Sequence, residues 1–113
     1  MGLTMLARLA HHFAQAGRNG DATKALGYAR ETAAQAARSF AYEEASRLYR
    51  LALDLQAEHF HEDATLRCEL LLTLGRVEAD LGAAEPSRAA FLEATDVARR
   101  NRLVELFTRA LSG

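Results

Sequence analysis

Ala45, Tyr49 and Ala52 recur 42 residues later as Ser87, Phe91 and Ala94, in the same order of small, aromatic, small and at the same spacings of four and three. No other feature restricts the fold as much. Spacings of four and three place all three side chains on one face of a helix. Small residues on that face let a neighbouring helix approach, while the aromatic fills the space between elements. One supersecondary unit is therefore used twice, and such self-similarity directs the reading toward repeat architectures.

Composition agrees with helices throughout. Half of the 113 residues are apolar, alanine, leucine, arginine and glutamate are abundant, and isoleucine and tryptophan are absent. Strong helix formers are thus plentiful and the usual material of strands is scarce. The expected fold class is all-α, and a single domain of this length can bury a core without disulfides or metals.

The periodicity of apolar residues predicts six helices. The first, about 3–16, carries Leu6, Leu9, Ala10 and Phe13 and stops at Gly17, with Asn19-Gly20 completing a turn. A second runs from the capping candidate Asp21 to about Arg38. The third, about 40–57, has Glu43 and Glu44 in its first turns and Leu48, Ala52 and Leu55 on its face. The fourth spans about 63–81, from Asp63 to just before Gly82. Pro86 sits near the first position of the fifth, where a missing N–H costs nothing, and that helix ends near Arg100. A sixth, about 102–111, carries Leu103, Leu106, Phe107 and Ala110.

Small, aromatic, small on a second helix, with a Leu-Gly pair on the helix before it, resembles the tetratricopeptide repeat. Leu74-Gly75 stands where that pair belongs, followed by Gly82 at the turn; the counterparts one period earlier are Thr32-Ala33 and Phe40. The late proline of the repeat is missing from both copies, and the period of 42 exceeds the usual 34. We assign the excess to a connector around Glu58 to Glu62. The resemblance implies an α-solenoid of antiparallel hairpins: a trailing half repeat at 1–17, hairpins at 21–57 and 63–100, and a leading half repeat at 102–113. The phrases His11-His12-Phe13-Ala14-Gln15-Ala16-Gly17, Phe40-Ala41-Tyr42-Glu43-Glu44-Ala45 and Ala89-Ala90-Phe91-Leu92-Glu93-Ala94 are similar to repeat arrays of large bacterial regulators that combine an ATPase with a LuxR-type DNA-binding domain.

What the resemblance implies for function is a non-catalytic protein-interaction or scaffold module of a signalling or transcriptional regulator, with effector sensing of a small molecule as the alternative. Its groove positions fall on Arg30, Ala34 and Arg38 and on Glu69, Leu72, Arg76 and Asp80. Arg30 and Arg76 are then candidates to clamp carboxylates, with Leu72 as an apolar contact. The asparagine of the family's carboxylate clamp is replaced by Ala34, which argues against a reader of terminal carboxylates.

Other chemistries find less in the residues. With 14 basic against 15 acidic residues the chain lacks the excess positive charge that drives nucleic-acid binding. The acidic stretch at 40–63 and the basic one at 1–39 read as solvated helix faces. Gly17-Arg18-Asn19-Gly20 lacks the Lys-Ser/Thr ending of a phosphate loop. Adjacent His11 and His12 point about 100° apart on a helix and do not converge on an ion. His59, His61, Glu62, Asp63 and Cys68 are all capable zinc ligands within ten residues. They read as a polar loop plus a cysteine packed as a small hydrophobe, with zinc at His59, His61 and Cys68 as the alternative. The acidic neighbours of Cys68 oppose a thiolate, no cofactor is implied, and no polar cluster converges on a predicted cleft. The single cysteine, the lack of a signal-like opening and apolar runs far below ~20 residues make the cytoplasm the expected location, without a membrane span. Repeats bury their faces against neighbours, so uncapped ends at Leu6, Phe13, Leu103, Leu106 and Phe107 are candidates for self-association into a homodimer.

Overall fold

A computed structural model describes residues 19–103, and these form four helices joined by turns, without a strand. We number them α1 (Asn19–Arg38), α2 (Tyr42–His59), α3 (Ala64–Asp80) and α4 (Ala84–Arg100). The all-α expectation holds for this region. The helix predicted at 3–16 and all but the start of that at 102–111 lie outside the described residues.

The chain divides into two compact units between Phe60 and His61, each containing one antiparallel hairpin. In the first, α1 packs on α2. The buried stripe of α1 is built almost wholly from alanine (Ala22, Ala25, Ala29, Ala33, Ala36) with Leu26, and α2 answers with Leu48, Tyr49, Leu53 and Leu55. In the second, α3 packs on α4. Here α3 supplies the bulk, through Leu70, Leu71, Leu72, Leu74 and Val77, and α4 supplies Ser87, Ala90, Ala94, Val97 and Ala98.

Both hairpins turn in the same way. Phe40 and Gly82, 42 residues apart, adopt left-handed conformations with φ of 64° and 84°. Around the first, the Ala41 N–H donates to the Ala36 carbonyl at 2.8 Å and the Phe40 N–H to the Ala37 carbonyl at 3.1 Å. Around the second, Ala83 donates to Glu78 at 2.8 Å and Gly82 to Ala79 at 3.0 Å. These are Schellman closures, which satisfy the last carbonyls of a helix and reverse the chain. A third ends α4, where Arg102 has φ 57° and Leu103 donates to Ala98 at 2.8 Å. In each hairpin the residue that closes the first helix also begins the second, because the carbonyls of Ala41 and Ala83 accept from Ala45 and Ser87 at 3.0 and 3.1 Å.

Several sequence boundaries need correction. Asn19 and Gly20 belong to α1 and do not form a turn, since Gly20 adopts a helical conformation and Asp21 acts as a first-turn carboxylate beside the dipole instead of a cap. The helix predicted from residue 40 begins at Tyr42, because a left-handed Phe40 cannot be helical. Arg102 likewise lies in a turn, so no helix starts there. Glu58 and His59 extend α2, and the connector to α3 is only 60–63; long helices, not a long connector, produce the 42-residue period. Asp63 caps α3 as predicted, its Oδ1 accepting from the Leu66 N–H at 3.0 Å. Pro86 is the third residue of α4, still within the turn whose N–H groups have no helical acceptor.

The second hairpin contains one very close approach. An added Cβ at Gly75 would stand 2.9 Å from the Phe91 ring, so only glycine fits without displacement. The buried Ser87 hydroxyl donates to the Gly75 carbonyl at 2.8 Å, and the Cys68 thiol donates to the Ala94 carbonyl at 3.5 Å. Arg67 and Glu93 pair across the same two helices at 2.5 Å.

Candidate partner-binding surface

Arg30, Ala34 and Arg38 recur at four-residue spacing and so share one face of α1. Both arginines are exposed and Ala34 is half-buried. Both guanidiniums also act electrostatically on Tyr49, which is buried on the facing helix α2. Burial raises the Tyr49 phenol above its ordinary value, while Arg30 and Arg38 pull it the other way.

Among the described residues neither Arg30 nor Arg38 has an ion-pair partner, whereas Arg47 pairs with Glu44, Arg67 with Glu93, and Arg99 and Arg100 with Asp96. The nearest carboxylate in sequence is Glu31, exposed beside Arg30.

One period later the same positions carry different chemistry. Gly27, Arg30, Ala34 and Arg38 become Glu69, Leu72, Arg76 and Asp80. Leu72 is only 2% exposed and offers no surface to a partner, so its predicted apolar contact is withdrawn. Glu69 is half-buried, and Arg76 and Asp80 are exposed one turn apart with opposite charge. The strip of α1 thus carries two positive charges and no negative one, while that of α3 carries one positive and two negative.

The predicted metal alternative draws no support from placement. Among the described residues no three His, Cys, Asp or Glu side chains gather closely enough to hold an ion. Cys68 is fully buried with its thiol on a backbone carbonyl, His61 is exposed, and His59 is packed at the end of α2. Its Nε2 is buried without a hydrogen-bond partner and lies 3.8 Å from a Glu58 carboxylate oxygen. Of the residues named for self-association, Leu103 is half-buried; Leu6, Phe13, Leu106 and Phe107 lie outside the described residues.

Sequence reasoning passed over Phe40 as a surface feature. It is 79% exposed and meets Tyr42 edge to face at 6.2 Å between centroids. The signal was available, since Phe40 occupies the register position of Gly82.

No protein-family model, curated protein or solved structure matches the chain. Among the described residues no helix is long and apolar enough to cross a membrane.

Proposed function

We propose that the chain is a non-catalytic protein-interaction module, a repeat segment of the α-solenoid, tetratricopeptide-like kind that serves a bacterial signalling or transcriptional regulator. The observation that carries this reading is the repetition of one hairpin design at a 42-residue interval, with the same turn and the same helix start. Repeat arrays act by presenting surface, because each unit is devoted to packing on its neighbours and the faces that remain vary from copy to copy. The strips on α1 and α3 vary in this manner while the turns do not. The turn and the helix start therefore preserve the design, and the exposed side chains distinguish the copies.

Selection of binders from a displayed library of random 12-residue peptides tests the reading, with backbone amide shifts locating the bound peptide. Peptides that bind and perturb the exposed faces of α1 or α3 support it. A library that yields no binder, or binders that perturb only buried positions, contradicts it.

A further inference from the structure

We infer that the turn of the first hairpin is a contact site for a single arginine side chain of a partner protein, its guanidinium stacked on the exposed Phe40 ring and paired with the Glu43 carboxylate. The inference rests on the interaction-module reading and adds where a partner is held and by what chemistry. Phe40 is ill suited to its turn. Its φ of 64° lies in the left-handed region, where a bulky side chain is strained, and the matching turn 42 residues later is made by Gly82. Packing gives the ring little in return: it is 79% exposed and meets Tyr42 only edge to face, with 86° between the ring planes. A strained, exposed aromatic that folding does not need points to recognition.

Charge complementarity selects the occupant. Glu43 stands exposed in the first turn of α2, three residues beyond Phe40, and has no ion-pair partner among the described residues, whereas Glu44 is held by Arg47 at 3.2 Å. The face of an aromatic ring is the negative end of its quadrupole, so ring and carboxylate attract the same cation. A guanidinium suits both, because its plane stacks on a ring while its fork meets a carboxylate. Arg38, exposed two residues before Phe40, repels a second cation and limits the site to one. The second hairpin keeps the carboxylate as Glu85 but has Gly82 and Ala84 where the first has its two rings. The stacking surface therefore belongs to the first hairpin alone.

The probe is acetyl-GSRSG-amide, titrated into the full chain and read by the amide shifts of residues 38–44 and the ring protons of Phe40. Phe40→Gly should weaken it about twofold to fivefold, the range for an exposed cation–π contact. That variant also relieves the backbone strain, so weaker binding by a more stable protein separates recognition from folding. Phe40→Leu and Glu43→Gln should each weaken the probe by a similar factor, Arg38→Gln should tighten it slightly, and Glu85→Gln should leave it unchanged. Citrulline in place of the arginine, neutral and of nearly the same shape, should bind at least fivefold more weakly. Equal binding of the citrulline peptide, or full affinity in the double Phe40→Gly/Glu43→Gln variant, overturns the inference, as does tighter binding of acetyl-GSESG-amide. If library-selected peptides bind the original chain while the arginine probe does not, the arginine site is wrong and the interaction module stands; if neither binds, both fail.

Discussion

The two hairpins share their turns and helix starts but divide their core volume in opposite ways. In the first, alanines and Leu26 on α1 receive leucines and a tyrosine from α2; in the second, leucines and Val77 on α3 receive mainly alanines, with Ser87 and Val97, from α4, whose Phe91 ring lies over Gly75. Interiors are packed near crystal density, so a large residue on one helix demands a small one opposite. Either helix can supply the bulk. What the repeat conserves is the register of the turn and of the helix start, not which partner is large.

The largest break in that comparison comes from removing bulk. Leu48→Ala on α2 and Leu70→Ala on α3 should each cost about 2–5 kcal/mol in chemical denaturation, since both are essentially inaccessible to water. If the equivalent helices did the same work, Leu48 would matter far less than Leu70.

A smaller effect distinguishes the helix–helix contact inside each hairpin. Gly75→Ala should cost about 1–2 kcal/mol, because overpacking against Phe91 outweighs the gain in helix propensity. Adding Phe91→Leu should return part of the loss. At the matching position Ala33→Gly should cost about 1–2 kcal/mol, from helix propensity and the loss of a buried methyl.

The turns sharpen the comparison further. Phe40→Gly should stabilise by about 1 kcal/mol, and Gly82→Ala should cost about as much, since both positions have positive φ. A neutral Phe40→Gly would mean that the exposed Phe40–Tyr42 contact offsets the backbone strain.

Titration gives the smallest effects. Burial raises the folded Tyr49 phenol above about 10, so the unfolded chain ionises first. Its contribution is complete below about pH 10 and is lost as pH rises through the folded value; Tyr49→Phe should flatten the alkaline limb of a stability profile. Asp96 in the second hairpin behaves oppositely. The hydrogen bond from Arg99, helped by Arg100, lowers its carboxyl below the ordinary value, so its contribution is lost as pH falls below about 4. Being exposed, it should barely move the acid limb.

Much of this architecture is legible in the residues. The small-aromatic-small triplets locate α2 and α4, Asp63 declares its cap, and Leu48, Ala52 and Leu55 are buried as their spacing demands. Three features are not. A phenylalanine in a left-handed conformation has no local signal, and only alignment with Gly82 exposes it. Asn19-Gly20 is a turn dipeptide by propensity, yet here both residues are helical. Leu72 occupies the position of the exposed Arg30, and periodicity alone does not tell that the leucine is buried. Of the surface, the spacing of Arg30 and Arg38 was legible, but their lack of ion pairs and their influence on Tyr49 were not.

The most direct test of the shared design is the pair of turn variants Phe40→Gly and Gly82→Ala, compared by chemical denaturation. The account predicts that the first gains about 1 kcal/mol and the second loses about as much, because both positions have positive φ. A loss in both, or a gain in both, would contradict it.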